Sequence, residues 1–174
     1  MFTWPVRVYW EDTDAGGIVF YANYLKFMER ARTEWLRSLG LSQSLLRQPA
    51  EGPGAQPRTH PGESSAHPAG AGGMFVVRST QVEYLAPARL DDQLLVTAKL
   101  VESTRITLTI AQEIRLSPKE MLHEQLLNSE RIALGLAELS HLPVVCTGRI
   151  RIAWVDTEKL QPARIPSHLR KELQ

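Results

Sequence analysis

Residues 8–24 read VYWEDTDAGGIVFYANY. In this stretch a run of β-branched and aromatic residues ends in an acidic turn with two glycines, and a helix is predicted to begin just beyond it. A helix start offers free backbone N–H groups and the positive end of the helix dipole. A loop carboxylate beside such a helix start provides the two groups that acyl transfer or hydrolysis needs at least, a base or nucleophile and a donor to the oxyanion.

The pattern on either side of this turn predicts the first two elements. Residues 6–10 form a predicted strand, residues 12–17 a loop, and a long helix follows as far as Leu39. Asn23 is predicted to be the helix N-cap, and Gly40 stands where a C-terminal cap belongs. The apolar stripe of this helix consists of Leu25, Met28, Trp35, Leu36 and Leu39.

The second half of the chain is dominated by alternating apolar and polar residues. This alternation predicts strands at about 74–85, 93–102, 106–116 and 144–155, followed by an irregular tail from Asp156. A strand, a long helix and then several antiparallel strands indicate an α+β fold in a single domain spanning residues 1–174. Some outward-facing strand positions are apolar and favour an oligomer, namely Val77, Leu95, Val101 and Val145.

Two segments interrupt this pattern. Residues 49–73 are rich in proline and glycine, which predicts a mobile surface loop because such a composition buries little surface. Residues 117–141 contain good helix formers with interspersed leucines, and we predict a helix there.

The composition narrows the classes of function. The chain has 174 residues and a formal net charge of +1, without a basic run interleaved with aromatics, so nucleic acid is an unpromising partner. No segment approaches the roughly 20 apolar residues that span a bilayer, and the N-terminus lacks signal-peptide features. With a single cysteine and no histidine spacing typical of a zinc site, we expect a cytoplasmic protein without a metal.

The turn and three further stretches resemble a known family. Residues 6–24, FMERARTE at 27–34, EYLAPARLDD at 83–92 and WVD at 154–156 are similar to hotdog-fold acyl-CoA thioesterases. The similarity is greatest to the Tol-Pal system-associated branch of the 4-hydroxybenzoyl-CoA thioesterase family. It covers most of the chain, and residues 49–73 and 117–141 stand outside it as insertions.

This resemblance implies a long central helix wrapped by a curved antiparallel sheet. It also implies dimers formed by sheet extension, often paired into homotetramers, with active sites at the dimer interface. The implied activity is hydrolysis of acyl-CoA to a free acid and coenzyme A without a bound cofactor.

Asp14 corresponds to the catalytic aspartate of the family motif. It can attack the thioester carbonyl to form a mixed anhydride or activate a water as general base. The structural alternative is an Asx-turn residue that holds the loop. By the same resemblance the backbone N–H of Tyr21 stabilises the developing oxyanion, although the Tol-Pal branch commonly has histidine there. The Tyr21 side chain is equally well explained as a packing residue.

The neighbours of Asp14 have more ordinary explanations. Glu11 and Asp12 could raise the pKa of Asp14 if they point inward, but we favour solvated or turn-capping side chains. Gly17 is expected to allow close approach of the substrate. Cys146, within an alternating strand, is expected to be a small core residue and not a nucleophile.

Coenzyme A carries phosphates, so cations are expected at the mouth of the pocket. The candidates are Arg89, in the turn after the second predicted strand, and Arg149 and Arg151 on the last one. Each is equally compatible with a solvated surface position. The rival function is a non-catalytic hotdog module that binds acyl carrier protein or envelope-related partners. The two insertions favour this rival, and the intact Asp14 motif argues against it.

Overall fold

The computed structural model describes residues 1–48, 71–118 and 139–173. Its strands are β1 (Phe2–Arg7), β2 (Gly73–Tyr84), β3 (Gln93–Ser103), β4 (Thr107–Ser117) and β5 (Val144–Asp156). Its α-helices are α1 (Asn23–Ser38), α2 (Gln43–Leu46) and α3 (Ser167–Glu172), and a 3₁₀ turn spans Trp10–Asp12. The predicted α+β class is confirmed.

The five strands form one antiparallel sheet in the order β1-β3-β4-β5-β2. This order leaves β1 and β2 at the two edges, so each has one side without a strand partner among the described residues. α1 lies across one face of the sheet and buries Phe27, Met28 and Ala31 completely. Gly148 on β5 permits this approach, because a Cβ there would lie 2.6 Å from the Met28 sulfur.

Part of the opposite face of the sheet is covered by residues that the structure describes. Leu95 on β3 packs there against Leu139 and Leu142, and all three are buried. The Arg115 guanidinium holds this segment by donating to the carbonyl oxygens of Leu139 and Leu142 at 2.9 and 2.7 Å. Of the positions predicted to face outward, Leu95 and Val145 are buried within the chain and Val101 is exposed. The prediction is wrong for Val77, which is exposed but lies on the side of the sheet that α1 covers, opposite Ile152.

Several local predictions are wrong. The first strand is Phe2–Arg7 and not residues 6–10, because Trp10–Asp12 turn into the 3₁₀ segment. The residue at the N-cap of α1 is Ala22, and no side chain caps this end. The tail is not irregular throughout, since α3 forms and buries Leu169.

Two predictions concern residues that are mostly outside the described ranges. The proline- and glycine-rich loop at 49–73 is described only from residue 71, and the helix predicted at 117–141 only at its ends. Within the described residues, no helix is both long and apolar enough to cross a membrane.

Candidate active site

The acidic turn folds into a tight hairpin just before α1. Thr13 and Val19 form an antiparallel bridge, and the Asp14 N–H donates to the carbonyl of Ile18 at 2.9 Å. The turn closes with the Gly17 N–H donating to the Asp14 carbonyl at 3.0 Å. Gly17 has a φ of 71°, which glycine adopts without the steric penalty of a side chain. Asp14 is therefore at the tip of an ordered hairpin.

Asp12 ties this hairpin to the start of the helix. It is a buried residue whose carboxylate accepts from the Tyr9 N–H at 3.0 Å. Its carbonyl oxygen accepts from the Phe20 N–H at 2.9 Å and from the Asn23 side-chain amide at 3.0 Å. Asn23 is thus a long-range tether and not a cap. Asp12 has the expected turn-capping role but is buried and not solvated, while Glu11 is exposed.

The Asp14 side chain is exposed and only partly engaged by the loop. Its Oδ1 accepts from the Gly16 N–H at 2.7 Å, which is the Asx-turn geometry. A Cβ at position 16 would lie 3.1 Å from this oxygen, so glycine leaves room for the contact. Within the described residues no other hydrogen bond to the carboxylate is found, so Oδ2 can meet a water or a substrate carbon. Asp14 can therefore hold the turn through Oδ1 and react through Oδ2.

The start of α1 presents a free N–H group. The Asn23 N–H donates to Phe20 and the Leu25 N–H to Ala22, whereas the Tyr21 N–H has no acceptor in the described part of the chain. A free donor at the positive end of a helix dipole suits an oxyanion. The Tyr21 ring is 62% exposed and contacts the rings of Phe20 and Tyr84.

A second aromatic layer lies beneath Tyr21. The Tyr84 ring is 6.4 Å from that of Tyr21 and 5.6 Å from that of Tyr24, centroid to centroid. The Tyr24 hydroxyl accepts from the buried Ala88 N–H at 3.0 Å. Burial is the main cause that raises the pKa of both Tyr24 and Tyr84 above 10.0, so both phenols stay neutral near pH 7. The sequence motif assigns no role to Tyr84, although the alternation of β2 is a signal that could place it on the helix side.

Arg89 is the one predicted cation in the described residues that the fold places at the acidic hairpin. Its backbone bridges to Ile18, and the Val19 N–H donates to the neighbouring Ala88 carbonyl at 2.8 Å. The Arg89 N–H donates to the Asp92 carboxylate at 2.8 Å, and its side chain is exposed. The structure therefore brings together Asp14, Gly17, Tyr21 and Arg89.

Arg149 and Arg151 lie elsewhere. Because Gly148 faces Met28 on α1, the alternation of β5 places both arginines on the opposite face of the sheet. There the Arg151 guanidinium pairs with the Glu102 carboxylate at 3.0 Å. Within one chain they are not beside Asp14, and their contact with substrate stays a prediction.

Cys146 has the properties expected of a core residue. It is fully buried on the face that α1 covers, and burial raises the pKa of its thiol from 9.0 to about 12. A thiol with such a pKa is almost entirely protonated near pH 7 and is a poor nucleophile.

A family model and known thioesterases match almost the whole chain. The model of the thioesterase-like superfamily matches residues 8–173. The chain is 37% identical over 172 residues to the acyl-CoA thioester hydrolase YbgC of Escherichia coli O6:H1, covering 99% of this chain and 95% of that protein. It is 31% identical to the acyl-CoA thioesterase YbgC of Haemophilus influenzae, with 97% and 91% covered.

A solved structure of a thioesterase has a similar fold. The 1,4-dihydroxy-2-naphthoyl-CoA thioesterase Slr0204 from Synechocystis superposes with a TM-score of 0.69, covering 99% of this chain and 94% of that one. At 16% identity this likeness concerns the fold alone. The helix-and-sheet architecture implied by the resemblance, the hotdog fold, is confirmed.

Proposed function

Since the chain belongs to the thioesterase-like superfamily, we propose that it hydrolyses acyl-CoA thioesters to a free acid and coenzyme A. One observation carries the proposal: the exposed Asp14 carboxylate is tethered through Asp12 and Asn23 to a helix start with a free N–H. The names of the YbgC relatives support the same reaction class.

The chemistry needs one activated oxygen and one donor. The thioester carbonyl oxygen accepts from the Tyr21 N–H, which stabilises the negative charge that develops as the carbon becomes tetrahedral. In one route Asp14 Oδ2 attacks this carbon, the C–S bond breaks, and a water then hydrolyses the mixed anhydride. In the other route Asp14 accepts a proton from a water that attacks directly. Both routes consume one water and release the thiol.

Arg89 and Gly17 are the proposed substrate contacts of this hairpin. The exposed Arg89 guanidinium can pair with a coenzyme A phosphate, and Gly17 leaves space beside Asp14. Arg149 and Arg151 contact the substrate only if coenzyme A reaches the opposite face of a sheet, in the same chain or in a neighbouring one.

We also propose that the protein is a homodimer formed through β2. This edge strand of 12 residues has no partner on its outer side within the described ranges, and Val77 and Tyr84 on it are about half exposed. Two copies of an open edge can pair about a two-fold axis and extend the sheet. The end of β2 that bears Tyr84 then brings Tyr21 close to the partner. A homotetramer built from two such dimers, a cytoplasmic location and an association with the Tol-Pal system belong to the same proposal.

The decisive experiment measures thiol release from a panel of acyl-CoAs by the wild type and by Asp14→Asn. We expect kcat to fall at least about a hundredfold, the usual scale for losing a general base or nucleophile. Glu11→Gln is the matched control, since it removes an exposed carboxylate of the same segment and should leave kcat unchanged. Retained turnover in Asp14→Asn would exclude Asp14 as the catalytic group.

Two further results refine the assignment. Repeated turnovers in ¹⁸O-labelled water that put the label into the Asp14 carboxylate indicate the anhydride route with water attacking the Asp14 carboxyl carbon. An unlabelled carboxylate excludes that path and leaves two others, the general-base route and an anhydride that water attacks at the acyl carbon. No release from any acyl-CoA by a folded protein would favour an acyl carrier protein substrate or a binding role.

A further inference from the structure

A groove of about 550 Å³ lies between α1 and the edge strand β2. Its apolar wall is formed by Leu25 of the helix and by Val77 and Ile150 of the sheet. Leu25 was expected in the apolar stripe of the core, but it is 37% exposed and faces this space. The volume falls within the range of small-molecule sites, roughly 300–1,000 Å³.

One end of the groove begins at the proposed oxyanion donor. Leu25 is four residues after Tyr21, a rise of about 6 Å along a helix. On the other wall, Thr80 is four residues before Tyr84, whose ring touches that of Tyr21. An acyl chain whose thioester carbonyl is held at the Tyr21 N–H can therefore extend down this groove.

The far end of the groove contains a positioned guanidinium. Arg32 Nη1 donates to the Gln112 side-chain oxygen at 2.7 Å. Gln112 is 1% exposed, and its own amide donates to the carbonyl oxygens of Met28 and Thr97 at 3.1 Å each. Because Gln112 is fixed by two backbone groups, it holds the Arg32 fork in one orientation.

Arg32 lacks the carboxylate partner that a largely buried arginine usually has. The nearest candidate, Glu29, accepts instead from the Thr33 hydroxyl at 2.7 Å, and no ion pair of Arg32 is found in the described residues. Burial lowers the pKa of Arg32 below its ordinary value, with Glu29 as a weaker opposing cause. The charge still persists, because arginine stays protonated in proteins.

The charges around the groove favour an anion. Among the described residues that line it, Lys26, Arg30 and Arg32 face a single carboxylate, that of Glu29. The Arg32 donors that do not contact Gln112 have no partner in the described ranges and can bind an oxygen ligand in the groove. A carboxylate matches them, because it accepts two parallel N–H bonds from one guanidinium.

We propose that this groove binds the acyl chain and that Arg32 binds a carboxylate at the end of that chain. The preferred substrates are then ω-carboxyacyl-CoA thioesters, a conclusion that rests on the proposed hydrolase activity. Position 32 lies about 16 Å along the helix from position 21, and side chains lean back by about one turn of 5 Å. At about 1.2 Å per bond, the remaining distance suits a chain of roughly nine bonds, as in a ten-carbon acyl group.

The test compares decanoyl-CoA with its ω-carboxy analogue, which differ only at the end of the acyl chain. We expect the wild type to prefer the ω-carboxy substrate at least about tenfold in kcat/KM, the scale of one charge-assisted hydrogen bond. Arg32→Met should abolish this preference by lowering kcat/KM for the ω-carboxy substrate alone. Arg32→Lys keeps the charge and should retain part of the preference.

Arg30→Met is the matched control, because it removes an exposed cation of the same groove that Gln112 does not position. It should leave the ratio of the two kcat/KM values unchanged. Should Arg32→Met not fold, the ratio in Arg32→Lys decides: a reduced ratio supports the proposal, and an unchanged one overturns it.

Other outcomes also overturn the proposal. If Arg32 binds the phosphates of coenzyme A, or only stabilises the fold, its replacement lowers kcat/KM for both substrates equally. A wild type that hydrolyses decanoyl-CoA without any preference rejects this inference but leaves the hydrolase assignment intact. A wild type that hydrolyses neither substrate, nor any other acyl-CoA, rejects the proposed function itself.

Discussion

Strand β5 shows how differently the two faces of the sheet are built. On the face under α1, Cys146 and Gly148 are buried against the helix. One residue further along, Arg149 points to the other face and is exposed, and Arg151 beside it pairs with Glu102. Neighbouring residues of one strand therefore belong to a dry, closely packed region and to a wet, charged one.

This difference separates residues that place the active site from residues that do not. The packing under α1 fixes the helix, and the helix start carries the Tyr21 N–H and the Asn23 tether to the acidic hairpin. A change on the covered face should therefore disturb stability and turnover together. A change on the opposite face should affect neither strongly, unless substrate or another subunit reaches it.

The largest effect on stability is expected when a charge forms on the covered face at high pH. The Cys146 thiol has its pKa raised from 9.0 to about 12, so above pH 9 the unfolded chain loses a proton that the folded chain keeps. The contribution of the neutral Cys146 thiol to the free energy of unfolding is therefore complete below pH 9. It is lost progressively between pH 9 and pH 12, by at most about 1.4 kcal/mol per pH unit.

Urea unfolding at several pH values measures this decline. In Cys146→Ala the curve should start lower at pH 7 because of the cavity, but it should fall less steeply above pH 9. Tyr24 and Tyr84 remain in both proteins, but the charge of Cys146 helps to raise the pKa of both phenols, so its removal also weakens their part of the alkaline decline. Parallel curves for the two proteins would contradict the assignment of the slope to Cys146.

The strands that the sequence predicts well are those whose pattern is local. The alternation along β3, β4 and β5 reflects the two faces directly, and their predicted limits agree with the structure within about one residue. The predicted β1 begins too late in the chain: the strand includes Pro5, which is acceptable because β1 is an edge strand. α3 was missed although Leu169 and Leu173, both buried, have helical spacing.

The site residues, like the strands, are predictable from the sequence only where the signal is local. The motif was sufficient to place Asp14, Gly17 and Tyr21 in one loop and helix start. The motif did not predict the tether from Asn23 to the Asp12 carbonyl, because this contact joins residues that are 11 apart and replaces a local cap. Arg32 could have been noticed as a charge four residues from Met28 and Leu36 on a buried helix stripe. Its contact with Gln112, 80 residues away, depends on the sheet register and has no local signal.

A smaller effect is expected from crowding the contact between β5 and α1. Gly148→Ala places a Cβ 2.6 Å from the Met28 sulfur and 3.0 Å from the end of the Ile150 side chain, so the buried Met28 side chain has to move against the sheet. Overpacking of this kind costs about 1–3 kcal/mol, and we expect a matching loss of thermal stability together with reduced turnover. Thr147→Ala, next to it on the other face, is the control and should change stability by less than about 0.5 kcal/mol. Equal losses in the two variants would contradict the division between the faces.

The smallest effects are expected from Arg149→Ala and Arg151→Ala. Arg151→Ala removes an exposed ion pair with Glu102 that solvent screens strongly, and Arg149→Ala should cost even less stability because its side chain is exposed. Urea unfolding of the two variants checks which of them loses more stability. The KM for an acyl-CoA, measured at low and high salt, then tests whether the substrate reaches the face opposite α1. A KM that rises several-fold and loses its salt dependence would show that coenzyme A phosphates reach the opposite face through the assembled oligomer. An unchanged KM would assign both guanidinium groups to the solvated surface and leave Arg89 as the predicted phosphate contact.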